Sequence, residues 1–339
     1  MKGKIALAAG GTGGHLIPAQ KVYDQLASDY EVVVAGVGLK GDSIAGQCYG
    51  ISGASPSLKG LIPFIWLTIK GAIQSIKLLK GAGLVIGFGS FHSFPVMLAA
   101  KLLRIPYILY EPNRIPGRVN RLFSRGARSA ALLFQSLQTA LPCATQTVVP
   151  LIHVQKSEKG EAQKALGLHS DHPVLLVFGG SQGAKAINEA LLSYVSAYDV
   201  PFQIYHICGR HSDPDPIEKA YYKRGVEAVV KQYEERMDLA WSAADVVICR
   251  SGANSVMEQI EYGVPTLYVP YPYDRDGHQR ANAAFVVEEI GGAMQVANSD
   301  LSGAVVAEKL DHLLGESGEY KQNLEQYKSS LEARPFDEL

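Results

Sequence analysis

Two glycine clusters in this chain have the composition of anion cradles. Gly10-Gly11-Thr12-Gly13-Gly14 follows the apolar run 4–9, and Gly179-Gly180-Ser181-Gln182-Gly183 follows the apolar run 174–178. Glycine lets main-chain N–H groups come close to a phosphate, and a helix starting behind the loop adds its positive end. Neither cluster is a GxGxxG in its usual register, and neither ends in GK[ST]. Each alone is equally a tight strand-to-helix turn, but one in each half of the chain weakens that reading for both. His15 stands directly behind the first cluster. A lone histidine is usually structural, yet one at the mouth of such a loop, titrating near neutral pH, is placed to move a proton.

Other groups follow strand-like runs in the same way. Arg250-Ser251-Gly252-Ala253 comes after the run 246–249, with Glu258 about one helical turn further on. Glu258 either satisfies a helix N-terminus or accepts from the vicinal hydroxyls of a ribose; spacing leaves both open. The segment 271–282 carries Asp274, Asp276, His278, Gln279 and Asn282 directly after the run 266–269, a position that favours ligand contact over a plain solvated loop. Tyr110-Glu111-Pro112-Asn113 ends another strand, with the Asn113 amide expected to face a ligand, and Gly87-Phe88-Gly89-Ser90-Phe91-His92-Ser93 is a third glycine-containing loop. The run 61–76 differs in kind. Phe64, Ile65, Trp66, Ile69 and Ile73 stand among other apolar residues, with Lys59, Lys70, Lys77 and Lys80 around them. It reads as a buried helix or as a surface helix dipping into anionic lipid; the tryptophan and the one-signed charge favour the lipid.

The elements that must position these groups alternate. Short continuous apolar runs separated by helical patterns predict parallel sheets covered on both faces. Strands are expected at 4–9, 31–36, 84–86, 107–110, 130–134 and 147–149, then again at 174–178, 203–207, 226–230, 246–249 and 266–269. Helices are expected at 18–26, 238–243, 254–262 and 279–290. The plan restarts after a polar stretch at 152–159, so residues 1–151 and 152–319 are predicted as two Rossmann-like domains facing across a cleft. A final helix, about 320–339, is expected to return to the first. The length of 339 residues suits two domains. Lys plus Arg is 32 against 33 Asp plus Glu, which disfavours a globally basic nucleic-acid binder. Cys48, Cys143, Cys208 and Cys249 form no CxxC, so neither a zinc ribbon nor a disulfide scaffold is expected. Met1-Lys-Gly-Lys leads straight into a strand, unlike a secretory leader, and no run of eighteen apolar residues occurs.

Taken in order, Gly10 to His15 with Pro18-Ala19, Tyr110 to Asn113, Gly179 to Ala184, Arg250 to Ala253 with Glu258, and Asp276 to Asn282 resemble the motifs of the MurG family. Its members are peripheral-membrane N-acetylglucosaminyltransferases of bacterial peptidoglycan synthesis. The resemblance spans nearly the whole chain. It implies an α/β fold of the GT-B type and an inverting transfer from UDP-GlcNAc to lipid I, giving lipid II at the cytoplasmic face of the cell membrane. It also implies no required metal and partners among cell-wall synthesis proteins. By it Glu258 holds the uridine ribose and Ser181, Gln182 and Gly183 meet the donor diphosphate. Asn113, Ala253, His278 and Gln279 lie near the sugar, and His153, Thr12, Gly13 and Gly14 complete the donor set. Gly11, Thr12, Gly13, Gly14, Ser90 and His92 face the acceptor diphosphate. His153 stands where the family usually has arginine, Tyr110-Glu111-Pro112-Asn113 where it has His-Glu-Gln-Asn, and His278-Gln279 where it has paired glutamines. Sugar transfer needs a base and a stabilised leaving diphosphate; His15 is assigned the base, with His92 its competitor. Asp213-Pro214-Asp215 and Asp274-Arg275-Asp276 are not read as metal sites. The rival readings are a diacylglycerol glycosyltransferase or a sugar-nucleotide epimerase on the same fold, and a nucleotide-binding module without turnover.

Overall fold

The computed structural model describes residues 3–11, 13–41, 43–44, 46–54, 61–135, 141–170, 172–180 and 182–336. The chain divides into two compact units, Met1–Ile152 with Glu332–Leu339, and His153–Leu331.

In the first unit the elements run β1 (Lys4–Ala8), α1 (Gly13–Leu26), β2 (Glu31–Val37), β3 (Gln47–Ile51), α2 (Leu61–Leu78), β4 (Ala82–Gly87), α3 (Ser90–Leu102), β5 (Tyr107–Glu111), α4 (Arg118–Ser124), β6 (Ser129–Leu132) and β7 (Thr145–Thr147). The seven strands form one parallel sheet in the order β3-β2-β1-β4-β5-β6-β7. β1 is buried beyond its first residue and β5 throughout, as strands covered on both faces must be.

The second unit repeats the plan with α5 (Lys159–Ala165), β8 (Val174–Phe178), α6 (Lys185–Ala197), β9 (Gln203–Ile207), α7 (Asp215–Lys223), β10 (Ala228–Lys231), α8 (Met237–Ala243), β11 (Val246–Cys249), α9 (Ala253–Tyr262), β12 (Thr266–Tyr268), α10 (His278–Ala284), a π-helical turn (Phe285–Ile290), β13 (Ala293–Gln295), α11 (Gly303–Gly315) and α12 (Ser317–Ser330). Its six strands are also parallel, ordered β10-β9-β8-β11-β12-β13. In each sheet the chain runs outward in one direction and then returns to the other side of its first strand. The reversal falls between β1 and β4 in one sheet and between β8 and β11 in the other. Such a switch point, at the carboxyl ends of the strands, is where ligands bind in open parallel sheets.

Three expectations need correction. α1 begins at Gly13, not at residue 18, so Gly13, Gly14 and His15 form its first turn and Pro18 lies inside it. A proline six residues into a helix has no N–H to give Gly14's carbonyl, but the helix continues through it. The helix foreseen at 279–290 changes to π geometry at Phe285. The C-terminal helix ends at Ser330, within the second unit, instead of running to the end of the chain. α12 buries Leu324, which fills the space beside Gly292, and sets Tyr327 edge-on to Phe285 at 5.5 Å. What returns is the stretch after it: Val149 N donates to Arg334 O at 3.0 Å, and Phe336 packs on Tyr110.

Candidate active site

At the first switch point His15 crosses from α1 to the segment after β4. Its Nδ1 lies 2.7 Å from the Phe88 carbonyl. A carbonyl only accepts, so Nδ1 carries the proton and the ring's lone pair is on Nε2. Phe88 is wholly buried, with its ring 5.6 Å from that of Tyr110, so the acceptor that fixes the tautomer is itself fixed. His92, on the first turn of α3, does something else. A Cβ on Gly10 would stand 2.9 Å from His92 Cβ, and one on Gly11, where φ is +92°, would stand 2.9 Å from His92 Nδ1. The imidazole occupies the space the two glycines leave, and its burial lowers its pKa. Ser90, at φ +63°, accepts from His92 N through Oγ at 3.3 Å. His92 therefore shapes the glycine loop.

Asn113 is tied to the strand end. Its N and Nδ2 both donate to Glu111 Oε1, at 3.0 and 3.3 Å, while Gly117 N (2.7 Å) and Asn120 Nδ2 (2.9 Å) donate to Oε2. Glu111, buried at the end of β5, is the hub on which residues 112–120 fold. Sequence reasoning passed over it; a carboxylate closing an otherwise apolar strand was the available signal.

In the second unit Gly183, at φ +80°, lies so close to Cys208 that a Cβ would strike the Cys208 carbonyl. That carbonyl is held by Asn188 Nδ2 at 3.0 Å. Asn188 Oδ1 faces His206 Nε2 at 3.0 Å, and His206 Nδ1 faces the Tyr221 hydroxyl at 2.7 Å. Since Asn188 Oδ1 can only accept, Nε2 donates to it and Nδ1 accepts from Tyr221. Burial pushes His206 down to about 3, so the network stays neutral. Gln182 Oε1 meets His211 Nε2 at 2.8 Å. Ser181, like Thr12 and Lys59, lies outside the described residues.

Glu258 lies on α9, which starts at Ala253, and Trp241 Nε1 donates to its Oε2 at 3.0 Å. Burial pushes this carboxyl up to about 7, partly opposed by the indole hydrogen bond. Arg250 is a brace: it donates to the carbonyls of Val269 (2.8 Å) and Pro270 (3.0 Å) and to Asn298 Oδ1 (2.9 Å). The start of α10 is tied to the same loop, since Ser251 Oγ donates to Gln279 O at 2.8 Å and Asn282 Nδ2 to Ser251 O at 3.3 Å. Gln279 N donates to Asp274 Oδ2 at 2.7 Å, and Gln279 Oε1 accepts from Tyr271 N at 2.9 Å. His278 Nε2 stands 3.7 Å from Asp276 Oδ2. Ala253, Glu258, His278 and Gln279 are thus gathered around the carboxyl ends of β11 and β12. His153 is exposed at the start of the unit. Among the described residues no three His, Cys, Asp or Glu side chains cluster as metal ligands.

α2 is amphipathic in the inverted sense. It turns Thr68, Gly71, Ala72 and Ser75 inward and leaves Ile62 (81% exposed), Ile65, Trp66 (60%), Ile69 and Ile73 outward. A Cβ at Gly71 would enter the Ser52 carbonyl, so small residues let the helix sit close. Phe64, half-buried at the edge of this stripe, faces the Phe91 and Phe94 rings at 6.5 and 6.4 Å. Among the described residues no helix is long and apolar enough to cross a membrane.

Comparison with known proteins agrees with this architecture. The N-terminal domain model of glycosyltransferase family 28 matches residues 5–132 and its C-terminal domain model matches residues 174–334. The chain is 35% identical over 332 residues to the UDP-N-acetylglucosamine–N-acetylmuramyl-(pentapeptide) pyrophosphoryl-undecaprenol N-acetylglucosamine transferase of Protochlamydia amoebophila, covering 93% of this chain and 88% of that one. To the transferase of the same name from Chlamydia pneumoniae it is 34% identical, covering 94% and 92%. The crystal structure of Acinetobacter baumannii MurG superposes with a TM-score of 0.78 at 28% identity, covering 98% of this chain and 95% of that one. A calicheamicin glycosyltransferase, 14% identical, shares the fold with a TM-score of 0.68. The two parallel Rossmann-like sheets are those of a GT-B glycosyltransferase. The chain belongs to glycosyltransferase family 28.

Proposed function

We propose that this chain transfers N-acetylglucosamine from UDP-GlcNAc to lipid I, with inversion at the anomeric carbon, to form lipid II. The observation that carries this reading is the match to transferases named for that reaction, which runs through both units. The geometry supplies roles for it. His15 Nε2 is the base that takes the proton from the attacking sugar hydroxyl, and the Phe88 carbonyl stabilises the imidazolium that forms. Main-chain N–H groups of the loop before α6, with that helix's positive end, receive the departing diphosphate. Glu258 accepts from the ribose hydroxyls, and Ala253, His278 and Gln279 border the sugar. The glycine loop that His92 shapes, with Ser90, receives the acceptor diphosphate. Incubation with labelled UDP-GlcNAc and a lipid I analogue should give a labelled lipid. Label released only as free sugar, or none transferred, overturns the reading.

The same proposal places the first unit on the inner face of an anionic membrane. Residues 1–152 carry 15 Lys and Arg against 5 Asp and Glu, whereas residues 153–331 carry 16 against 25. Between residues 43 and 157 the single acidic residue is Glu111, which is buried. The basic unit is the one that bears the exposed stripe of α2, and Lys70 Nζ lies 5.3 Å over the Trp66 ring. Apolar side chains for the acyl boundary and cations for head groups are the two signals that stable peripheral binding takes. Replacing Ile65, Trp66 and Ile69 by serine should release the protein from phosphatidylglycerol-containing vesicles while UDP affinity holds. Unchanged sedimentation with vesicles would show that the stripe serves another surface.

A further inference from the structure

Trp241 is among the largest fully buried side chains of the protein, and its surroundings explain more than its burial. It lies on α8. The Phe178 ring meets it edge-on at 5.7 Å from the end of β8, and the Tyr262 ring stacks on it at 6.2 Å and 20° from the end of α9. Tyr262 is held in turn: its hydroxyl accepts from Gln155 N at 3.3 Å, and Lys156 Nζ lies 5.8 Å over its ring. Packed between these two rings and fully buried, the indole aims its single polar group, Nε1–H, at Glu258 Oε2 at 3.0 Å. Among the described residues this is the one hydrogen bond Glu258 receives. It spends one carboxylate oxygen and leaves the other to a ligand.

We propose that Trp241 is a positioning residue for donor recognition: by holding Oε2 it fixes the Glu258 carboxylate in the rotamer that offers Oε1 to the vicinal diol of the donor's ribose. This rests on the assignment of Glu258 to the ribose. A second consequence follows from the indole being a donor. A donated hydrogen bond favours the ionised carboxyl, against the burial that disfavours it. A diol donates, so it binds the ionised form better. Trp241 therefore sets both where the carboxylate lies and at what pH it can act.

Trp241→Phe keeps an aromatic ring between Phe178 and Tyr262 but removes the N–H together with part of the bicyclic ring, so the melting temperature is measured alongside. With the intact chain, UDP affinity is measured by calorimetry and donor KM by turnover, each from pH 5.5 to 9. The expected result is UDP binding about tenfold weaker at pH 7, from the loss of one charge-assisted hydrogen bond to the carboxylate. The midpoint of the pH dependence should move upward, and kcat at saturating donor should stay near that of the wild type. Glu258→Gln should weaken binding and abolish the pH dependence. Because the chain has two tryptophans, Trp66 and Trp241, the Trp66→Phe background makes emission a direct reading of this site. Its fluorescence should respond to UDP with the calorimetric affinity. A merely structural Trp241 would lower the melting temperature and the active fraction but leave the midpoint where it was, and that result overturns the inference alone. If Glu258→Gln binds UDP as well as the wild type does, the ribose assignment fails and the inference fails with it.

Discussion

The two switch points share a topology and differ in what braces them. In the first unit the space beside Gly11 is filled by the His92 ring and that beside Gly10 by His92 Cβ and the Val37 carbonyl, and the loop leads into a helix whose third residue is the titratable His15. In the second the space beside Gly183 is filled by backbone, at Cys208 and Gly209, held by the neutral Asn188–His206–Tyr221 network. A loop braced by neutral, buried groups is suited to receiving a fixed anion. One whose helix opens on an imidazole of defined tautomer is suited to moving a proton. The contrast extends to the carboxylates. Glu111 is saturated by four donors and is architecture; Glu258 receives one and has capacity for a ligand. One fold, used twice, thus braces its two glycine loops differently, as the proposed base in one unit and the proposed anion site in the other require.

The largest effect that follows concerns His15. His15→Ala should lower kcat by roughly 10²–10⁴-fold, the usual contribution of a positioned base, with donor KM little changed. The acidic limb of the pH–rate profile should flatten. His92→Ala should loosen the loop instead, raising the acceptor KM and preserving that limb. If the two variants exchange these behaviours, the division of labour between the histidines is reversed.

Next comes the saturated carboxylate. Glu111→Ala leaves four N–H donors facing a void, at roughly 1–3 kcal/mol for each that stays buried and unpaired. The first unit should then melt well below the second, a split visible by calorimetry. A single, unshifted transition would mean that water satisfies these donors and that Glu111 is replaceable.

Much of this was legible in the residues. Both glycine loops, both sheets and the return of the plan after residue 152 follow from apolar runs punctuated by glycine, because strands buried on both faces leave no alternation to misread. Register was less legible. β7 falls at Thr145–Thr147, just before the apolar Val148-Val149 that suggested it, since an edge strand needs little burial. β3 (QCYGI) was passed over because the exposed edge of the sheet tolerates Gln, Tyr and Gly. Among site residues, His15 and Glu258 could be picked by type and position. Their partners, the Phe88 carbonyl and Trp241, lie 73 and 17 residues away and leave no local pattern. Asn113 adds a tie of the same kind at short range: its Nδ2 donates to Glu111 Oε1, two residues back, which the order of residues did not announce.

The donor side has its own test. Glu258→Ala removes hydrogen bonds to a charged acceptor worth roughly 1.5–3 kcal/mol, so donor KM and UDP inhibition should weaken by about ten- to hundredfold while kcat holds better than in His15→Ala. Equal losses in kcat and donor affinity would place Glu258 near the reacting atoms and not at the ribose.

The smallest effect is the most specific to the difference between the two carboxylates. Glu258 ionises at about 7 in the folded chain, against about 4.5 when unfolded, because burial disfavours its charge. Between those values the folded state holds a proton that the unfolded state has released. Stability therefore falls as pH rises from about 4.5 through 7, and above 7 the full cost of a poorly solvated carboxylate is present. A tenfold difference in proton affinity between the folded and unfolded chain is worth about 1.4 kcal/mol, and the partial exposure of Glu258 discounts the sum by screening, to about 1–2 kcal/mol. Glu258→Gln removes the charge and still offers Trp241 an acceptor. The second unit of this variant, without ligand, should melt a few degrees above the wild type at pH 8, at roughly 2–4 °C per kcal/mol for a unit of this size, and the gain should shrink toward pH 5. Gained stability with lost donor affinity would mark Glu258 as a group kept for binding at a cost to folding. Equal melting temperatures at both pH values would show a well-solvated carboxylate, and the contrast with Glu111 would then rest on hydrogen bonding alone.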